Sequence, residues 1–369
     1  MQKEMVVLCL VGMGILAWRP AKVNSERVIK ETRKRILQEV DSLFESFKKA
    51  FDLEYSAEEE PVRRKIFEQE LAKIQAHNSE PNEFKMGLNE FSAMTPKEFK
   101  ARYLEAPQRI LDPSEVEKDP LPPVNQARPT RLLQSGREDP QSILRRLPRK
   151  VDWTEKGKVS PVKHQGTCQA CYVFSAVGAL ESAISMKFNV TVQLSEQEIL
   201  DCSYSFRNNG CVGGQPQFVY DYVLSNGLNL MDNYPYKAFP ETCKAPTYKN
   251  VFKQKFRYFK PELNIFALLE YLQFGPVVVN HYVPDTFKYY YSGIFTTNEC
   301  AFETIINHSA IIVGYDLSAT RPFFLLKNSW GLKWGEQGFY KVLIGDLTYD
   351  NPGFCHLASN GYNIFPTYF

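Results

Sequence analysis

Apolar residues recur at intervals of three and four along residues 25–53, and charged residues fill most of the positions between them. This spacing places the apolar side chains on one face of an α-helix. The pattern therefore predicts an amphipathic helix with a charged outer face. Its apolar positions are Ile36, Val40, Leu43, Phe44, Phe47 and Phe51.

A second helix is predicted directly after the first. Ser56 and Glu59 have the spacing of a capping box, and Pro61 suits a first helical turn. The helix is expected to end near Asn78 and Pro81. Its apolar stripe comprises Val62, Ile66, Phe67, Leu71 and Ile74.

The pattern changes after Val151, where apolar and aromatic runs are separated by glycines. Residues 172–186 are mostly apolar and predict a buried helix. Helices first and strands later predict an α+β domain of two subdomains with a cleft between them. The strands are predicted at residues 275–279, 310–315, 323–327 and 338–344.

The two patterned regions are separated by residues 105–149, which show neither helical nor strand periodicity. This segment combines prolines with scattered arginines and predicts an extended linker that proteases can reach. Its prolines are Pro107, Pro113, Pro120, Pro122, Pro123, Pro129, Pro140 and Pro148.

An apolar run near the amino terminus has the length of a secretory signal. Residues 5–18 are uncharged and mostly apolar, and they follow Lys3. The run is shorter than the ~18 residues that a membrane span needs. It therefore predicts a signal peptide at residues 1–20, with an uncleaved anchor or a buried helix as the alternatives.

Length and charge narrow the function classes. A chain of 369 residues, 44% of them hydrophobic, predicts more than one domain and a large core. Residues 1–150 carry 27 Lys and Arg against 24 Asp and Glu, and residues 151–369 carry 17 against 18. Neither part has the one-signed excess that attracts a phosphate backbone or an anionic membrane. No nucleic-acid partner is therefore expected, and no stable membrane association after removal of the signal.

Cysteine placement indicates an oxidising compartment. Cys9 would leave with the signal peptide, and every other cysteine follows residue 150. Their odd number allows three disulfides and one free thiol, with the pairing left open by the spacing alone. That free thiol is a candidate nucleophile. The cysteines concerned are Cys168, Cys171, Cys202, Cys211, Cys243, Cys300 and Cys355.

Cys171 is the strongest candidate for the free thiol, because it stands at the head of the predicted buried helix. Unpaired amides and the helix dipole there stabilise a thiolate, so a lowered pKa is expected for Cys171. A cysteine nucleophile also needs a base, and His308 stands before the strand that ends at Tyr315. Asn328 opens a later turn, where its side chain can hold the imidazole by accepting one ring N–H.

The Cys-x-x-Cys spacing of Cys168 and Cys171 also suggests a zinc site or a thioredoxin-like redox pair. No second Cys-x-x-Cys or paired histidine completes a tetrahedral site, so no metal or cofactor is expected. A redox pair leaves the later cysteines unexplained as a set. Both interpretations are therefore disfavoured.

The motifs together resemble the papain-like cysteine peptidases, cathepsin L-like group, and they follow the order of that family. The resemblance implies an α+β, papain-like two-subdomain fold with a helical part, a β-barrel-like part and an active-site cleft. It also implies a secreted or lysosomal zymogen of a cysteine endopeptidase. The matching segments are residues 151–153, 161–163, 165–166, 168–175, 211–214, 307–308, 313–315 and 328–331.

The resemblance implies a role for each catalytic residue. Cys171 would be the nucleophile, and His308 would act first as general base and then as general acid. Asn328 would orient the imidazole, and Gln165 would form the oxyanion hole with the Cys171 amide. Trp330 would shield the hydrogen bond between Asn328 and His308 from water.

The same resemblance implies substrate-binding residues and disulfides. Gly213 and Gly214 would let the backbone pair with an extended peptide. Ile306 and Asn280 would line the pocket for the side chain two residues before the cut, where Asn280 is unusually polar. The implied disulfides are Cys168–Cys211, Cys202–Cys243 and Cys300–Cys355.

The front of the chain resembles the inhibitory propeptide of this group. The implied organisation is a signal peptide (1–20), a helical inhibitory propeptide (21–104), a Pro-rich linker (105–148) and a mature peptidase domain (149–369). Expected partners are protein or peptide substrates, the chain's own propeptide and cystatin-like inhibitors. We expect the propeptide to lie along the cleft and to leave when its carboxylates are protonated in acid. The matching residues are Glu59, Arg63, Phe67, Ile74, Asn78, Gly87, Asn89 and Phe91.

Several positions depart from the family pattern. Gln169 replaces a glycine and is expected to crowd the substrate backbone, and Tyr172 replaces the commoner tryptophan. Glu70 and Ala93 replace Asn and Asp in the propeptide motifs. These departures motivate an alternative function, a catalytically impaired relative that binds peptides or inhibitors. An exopeptidase is a lesser alternative, because no His-bearing insertion follows Gly214.

Two segments match the acceptor pattern for N-glycosylation. Asn189 precedes Val190 and Thr191 and is a predicted glycan site in a secreted chain. Asn307 has the same pattern, but a glycan there would occlude the site, so it is expected to stay bare. The predicted location is the secretory pathway, ending in the lysosome or outside the cell.

Overall fold

The computed structural model describes residues 25–110, 139–245, 256–260, 264–300, 303–349, 351–358 and 364–367. The predicted signal peptide and Cys9 lie outside these residues. The chain divides into two compact units, Met1–Ala50 and Phe51–Phe369.

Helices are concentrated in the first two thirds of the described chain. They are α1 (Ser25–Phe51), α2 (Glu60–Ser79), α3 (Pro96–Tyr103), α4 (Pro140–Arg146), α5 (Cys171–Phe188), α6 (Glu196–Cys202), α7 (Pro216–Asn226) and α8 (Ile265–Tyr271). Most strands follow α8. They are β1 (Phe84–Met86), β2 (Gln108–Arg109), β3 (Lys150–Asp152), β4 (Arg257–Phe259), β5 (Val277–His281), β6 (Tyr290–Phe295), β7 (Ile305–Ile306), β8 (His308–Asp316), β9 (Phe323–Lys327), β10 (Phe339–Leu343) and β11 (Phe365–Thr367).

The described part of the first unit is helical, which confirms the helix predicted over residues 25–53. Lys48 and Lys49 lie in the last turn of α1, where they complement the negative end of the helix dipole. The rings of Phe44 and Phe47 stack with their centroids 6.0 Å apart. The apolar spacing of the sequence thus places aromatic neighbours on one face.

Helix α2 confirms the second predicted helix, but its predicted capping box is only half formed. The Ser56 hydroxyl accepts a hydrogen bond from the Glu59 amide at 3.2 Å. The Glu59 carboxylate does not return the bond and instead pairs with Arg63, with 2.7 Å between Oε1 and Nε. Charge pairing one turn onward therefore replaces the second capping hydrogen bond.

Arg63 connects α2 to α3. Its guanidinium is almost fully buried, pairs with Glu98 at 2.8 Å and donates to the Ala93 carbonyl at 3.1 Å. Glu98 in turn closes a complete capping box with Thr95 at the start of α3. One buried cation thus fixes the two propeptide helices against each other.

The prediction of a linker without secondary structure is wrong at both ends, because β2 lies near its amino end and α4 near its carboxyl end. Residues 111–138 lie outside the described residues, but α4 forms within the segment. The Asp139 carboxylate caps α4 by accepting from the Ser142 amide at 3.1 Å, and Pro140 occupies the first turn. Ile143 and Leu147 are buried, so tertiary burial stabilises a helix too short for sequence periodicity to show.

The sheet confirms the four predicted strands, with bounds that differ from the prediction by at most two residues. Its strands follow the order β1, β6, β10, β9, β8 and β3, and β5 also pairs with β8. β1 precedes the predicted linker and pairs antiparallel with β6. The predicted propeptide therefore extends the sheet of the following domain by one strand.

Two apolar cores underlie the predicted α+β arrangement. One core surrounds α5 and includes side chains of α6 and α7, and the other fills the space around the sheet. α5 is buried over its first fifteen residues, which explains why its sequence is apolar on every side. The predicted pairing of a helical part with a strand part is thereby confirmed.

Three disulfides cross-link the described residues, and Cys171 is their free cysteine. These are the pairs that the family resemblance implies. None of the helices in the described residues combines the length and apolar character that crossing a membrane requires. The bonds are Cys168–Cys211, Cys202–Cys243 and Cys300–Cys355.

Candidate active site

Cys171 is the first residue of α5, and its side chain is fully buried. The chain enters the helix through a tight turn at Gly166, which has a φ of +61°. A Cβ at this position would lie 2.9 Å from the Ala238 Cβ, so the turn requires glycine. The turn also lets the side-chain Nε2 of Gln165 donate a hydrogen bond to the Cys168 carbonyl at 2.8 Å. The structure thus places Cys171 at a helix amino terminus, as predicted.

His308 and Asn328 meet at the ends of neighbouring strands. His308 opens β8, Asn328 follows β9, and Oδ1 of Asn328 lies 2.9 Å from Nε2 of His308. The same Oδ1 accepts from the Ser329 amide at 2.8 Å, which identifies it as an acceptor. His308 therefore carries its proton on Nε2 when neutral. Its Nδ1 is buried without a hydrogen-bond partner in the described residues.

Trp330 covers the bond between His308 and Asn328. The Trp330 side chain is fully buried, and its ring centroid lies 4.9 Å from that of His308. Phe91 and Phe99 of the propeptide region contact the same indole edge-on, at centroid distances of 5.7 and 5.2 Å. The hydrogen bond is thus enclosed by aromatic rings that exclude water.

The electrostatics of this pair differ from the sequence prediction. Burial, followed by the neighbouring Glu105 carboxyl, raises the pKa of the Cys171 thiol well above its ordinary value. Burial, followed by the neighbouring His281, lowers the pKa of His308 to about 3. The predicted lowering of the thiol pKa is therefore wrong for the precursor. Burial outweighs the helix dipole here, and both groups are neutral.

The residues before Glu105 fill the cleft beside Cys171. The Gln165 side chain donates from Nε2 to the Tyr103 carbonyl at 3.1 Å, while its Oε1 accepts from the Ser329 hydroxyl at 2.6 Å. Gln169 donates from Nε2 to the Ala101 carbonyl at 2.8 Å. Two glutamines of the Cys171 loop thus satisfy carbonyls at the carboxyl end of α3.

The chain beyond Tyr103 continues through the cleft as a strand. Glu105 donates its amide to the Asn307 carbonyl at 2.9 Å, and β2 pairs antiparallel with β7. The Ile110 amide then donates to the Thr304 carbonyl at 3.1 Å. The segment at residues 104–110 therefore covers Cys171 and His308, which accounts for their burial.

The predicted substrate-binding residues lie in three places. Gly213 has a φ of +126° and faces Glu105, and a Cβ on Gly214 would lie 2.5 Å from the Tyr172 ring. Ile306 pairs with Gln108 in the contact between β2 and β7. Asn280 is a buried residue of β5 opposite Ser309. Gly213 and Ile306 therefore contact the segment in the cleft directly, whereas Asn280 lies within the sheet.

Two residues near the pair were missed by the sequence analysis. His281 is the cross-strand neighbour of His308, is buried, and contacts the Tyr282 carbonyl and the Tyr340 hydroxyl, both at 2.9 Å. The sequence feature that could have identified His281 is a histidine that directly follows an apolar strand segment. Glu105 gave no local signal, because its surroundings come from segments far along the chain.

Comparisons with known proteins identify the family to which the chain belongs. The family "Papain family cysteine protease" matches residues 147–363, and the "Cathepsin propeptide inhibitor domain" matches residues 44–99. Thiol protease aleurain of Arabidopsis thaliana is 33% identical over 294 residues, covering 79% of this chain and 76% of the relative. Pro-cathepsin H of Mus musculus is 33% identical over 309 residues, covering 81% and 84%.

Solved structures of precursors have the same fold. The recombinant stem bromelain precursor matches with a TM-score of 0.73 and 28% identity, over 89% of this chain and 98% of that one. Digestive procathepsin L 3 of Tenebrio molitor larval midgut matches with a TM-score of 0.72 and 27% identity, over 89% and 99%. Both matches extend over propeptide and peptidase regions together.

Proposed function

Because the chain belongs to the papain family of cysteine proteases and is a zymogen with its own propeptide, we propose that it cleaves internal peptide bonds through a thioester on Cys171. The supporting observation is the hydrogen bonding of the two ring nitrogens of His308. Its Nε2 is tied to Asn328, and its Nδ1 is buried without a partner in the described residues. That nitrogen offers the lone pair that a general base needs.

The proposed reaction begins with proton transfer from the Cys171 thiol to His308 Nδ1, and the sulfur attacks the carbonyl carbon of the peptide bond. The tetrahedral intermediate collapses when His308 protonates the leaving amine, which leaves an acyl thioester on Cys171. Water, deprotonated by the same imidazole, then hydrolyses the thioester. Asn328 holds the imidazole in one orientation through both steps, and Trp330 keeps water from their hydrogen bond.

Gln165 and the Cys171 amide form the proposed oxyanion hole. In the precursor Gln165 Nε2 already donates to a peptide carbonyl, that of Tyr103. The Ser329 hydroxyl fixes the other end of the Gln165 amide, so Nε2 stays aimed into the cleft after the propeptide leaves. Loss of such a donor typically costs roughly 3 to 4 kcal/mol of transition-state stabilisation.

The proposed substrate lies extended across the cleft, as the propeptide strand does. Gly213 and Gly214 form one wall, and Ile306 contributes the opposite edge through β7. Asn280 is proposed to add polarity to the pocket for the side chain two residues before the cut. A groove of this kind binds extended protein and peptide substrates. Cystatin-like inhibitors are proposed to bind in the same groove.

Removal of the propeptide is proposed to activate the pair. Burial is the largest cause of both pKa shifts, and it raises the pKa of Cys171 and lowers that of His308. Water reaching the cleft reverses both shifts, which favours a thiolate beside an imidazolium. The helix dipole at the head of α5 then stabilises the thiolate as the sequence predicts.

The proposed start of the mature enzyme is based on the first backbone hydrogen bonds between the chain after the linker and the end of β8. The Leu317 amide donates to the Arg149 carbonyl at 2.7 Å, and β3 continues that pairing with β8. We therefore propose that the mature enzyme comprises residues 149–369, after a propeptide (21–104) and linker (105–148). We also propose that residues 1–20 are a signal peptide, and the disulfides support a secretory route to the lysosome or the outside of the cell.

Gln169 is proposed to bind the propeptide rather than to block the cleft. Replacing Gln169 with Gly removes one hydrogen bond to the Ala101 carbonyl, worth about 0.5 to 1.5 kcal/mol. We expect the precursor thiol to become about 2- to 12-fold more reactive toward a thiol reagent, while kcat of the processed enzyme stays within about twofold. Labelling kinetics of the precursor and steady-state assays of the processed form measure both. A precursor as protected as the wild type shows that this bond contributes nothing.

Asn189 is proposed to carry an N-linked glycan. It is exposed at the end of α5, and its Oδ1 accepts from Lys158 at 2.7 Å, so Nδ2 remains available. Replacing Asn189 with Gln should remove one glycosidase-sensitive mass step from the secreted protein. Replacing Asn307 with Gln is the matched control and should leave the mass step unchanged. The Asn307 side chain is buried, and its Oδ1 accepts a hydrogen bond from the Val283 amide. A glycosidase-sensitive mass step that persists in Asn189→Gln contradicts the assignment.

The proposed activity is tested on the purified, processed chain. It should hydrolyse a mixed library of extended peptides at internal bonds, and a thiol-blocking reagent should abolish the hydrolysis. The unprocessed precursor serves as the matched control and should be nearly inactive. Peptides that bind the processed chain but are never cut would instead support the catalytically impaired alternative.

A further inference from the structure

Glu105 of the propeptide places a buried carboxyl group against the proposed nucleophile. The residue is 6% exposed, and its Oε1 is buried without a hydrogen-bond partner in the described residues. Its Oε2 accepts a long hydrogen bond of 3.3 Å from the Gln108 side chain. The carboxyl faces the Cys171 thiol and the backbone amide of Tyr172. Burial of a carboxylate without a counter-ion is costly, so this position favours the neutral acid.

The backbone around Glu105 prevents the carboxyl from turning away from the site. The Glu105 amide donates to the Asn307 carbonyl on one wall, and the side chain meets Gly213 on the other, where a Cβ would lie 3.7 Å from the Glu105 Cγ. Hydrogen bonds at Tyr103 and Ile110 fix the chain on both sides. The carboxyl reaches water only when this strand leaves the cleft.

No cation among the described residues pairs with Glu105. The titratable groups facing it from α5 are the Cys171 thiol and the Tyr172 phenol. The wall that contains Gly213 contributes Cys211, which is in a disulfide, and the strand on the other wall begins with neutral His308. Burial raises the pKa of Glu105 to about 8, and the Cys171 thiol and the Tyr172 amide that face the carboxyl have a smaller opposite effect.

We propose that Glu105 is a proton-dependent lock on Cys171, whose carboxyl must be protonated for the propeptide strand to occupy the cleft. This contact is strongest in acid and weakens as the pH rises. The inference rests on the proposed role of Cys171 and specifies how the same site is regulated. Opening the cleft by acid must therefore work against Glu105.

The direction of the pH dependence follows from the two states of the strand. Below the ordinary pKa of 4.5, Glu105 is protonated in both states, and the contact has its full strength. Between 4.5 and about 8 the released strand loses the proton while the docked strand keeps it, so docking weakens by up to tenfold per pH unit. Above about 8 both states are ionised, and the dependence ends.

Glu98 responds to pH in the opposite direction. The hydrogen bond from Arg63 lowers the pKa of Glu98 to about 2, so its contribution is present above 4.5 and is lost as the pH falls toward 2. Acid release through propeptide carboxylates, as the sequence analysis expected, therefore depends on contacts such as this one. Glu105 opposes that release, because its own contact with the site is strongest in acid.

The test is hydrogen exchange on the full-length precursor with Cys171→Ser, which prevents self-cleavage and keeps a side chain of similar size. Protection of the Glu105 and Ile110 amides is measured from pH 5 to pH 8 and corrected for the chemical exchange rate. Glu105→Gln is neutral at every pH and is the test variant. Glu80→Gln removes an exposed propeptide carboxylate at the end of α2 and is the matched control.

In the parent and in Glu80→Gln, protection of this strand should fall with rising pH, by at most tenfold per unit. In Glu105→Gln it should stay flat, while β8 and β9 remain protected in all three proteins. A flat or rising parent curve, or an unchanged slope in Glu105→Gln, overturns the lock. The proposed function is tested separately on the processed wild-type enzyme, in which Cys171 should react with a thiol reagent.

A second measurement needs no change at Glu105. A titration of the Glu105 carboxyl carbon by NMR in the same precursor should give a midpoint well above 4.5, the ordinary value. If Glu105→Gln does not fold, which lost protection of β8 and β9 would reveal, this titration decides the proposal. A midpoint near 4.5 contradicts it.

Discussion

Replacing Cys171 with Ala is expected to abolish peptide hydrolysis by the processed enzyme while leaving the fold intact. The sulfur is the proposed attacking atom, and no other free thiol occurs in the described residues. Loss of a nucleophile from a catalytic unit lowers kcat on the order of 10⁴-fold or more. Because Cys171 is in no disulfide, the free energy of unfolding should change by about 1 kcal/mol or less.

Steady-state kinetics on a peptide substrate and urea unfolding measure the two effects. Ser182→Ala is the matched control, since it is another buried small side chain of α5 and donates only to the Gly178 carbonyl of its own helix. It should retain nearly full kcat. Hydrolysis by the Cys171→Ala enzyme above the uncatalysed rate would refute the covalent mechanism.

Replacing His308 with Ala should lower kcat by about 10³-fold or more, because the thiol loses its proton acceptor and the leaving amine loses its donor. The alkylation rate of Cys171 gives a second readout. In the processed wild type the imidazolium keeps a thiolate at acidic pH, so the thiol should react with iodoacetamide well below the ordinary thiol pKa of about 8.5. In His308→Ala the reactivity should rise only as an ordinary thiol ionises.

Asn328→Ala separates orientation from proton transfer. It removes the acceptor 2.9 Å from His308 Nε2 but leaves the imidazole in place. The kcat should fall less than in His308→Ala, and alkylation at acidic pH should persist. Equal effects of both variants would mean that His308 acts only through its fixed orientation.

The positions of the proposed catalytic residues could be predicted from the sequence because each of these residues follows a local signal. Cys171 heads an apolar helix, and His308 and Asn328 stand at the ends of apolar strand runs. The pairing of β8 with β9 then brings the strand ends together without further information. Helix periodicity likewise predicted α2, since burial of one face imposes a regular pattern, while apolar runs predicted α5 and four strands of the sheet, β5, β8, β9 and β10.

The ionisation state of the site could not be predicted in this way. The helix dipole is a local property of α5, whereas burial of Cys171 depends on an extended strand of the propeptide at residues 104–110. That strand is too short and too polar to show periodicity, and its partners are distant in sequence. The same limit explains why α4 was missed, because its stability comes from burial of Ile143 and Leu147.

The central claim is that Cys171 is the reactive thiol of the processed enzyme and is covered in the precursor. Reaction with a thiol-directed epoxide, followed by peptide mapping in a mass spectrometer, tests it most directly. We expect one adduct, on Cys171, in the processed chain and little adduct in the intact precursor. A processed, folded chain without an adduct on Cys171, or a precursor labelled equally fast, would contradict it.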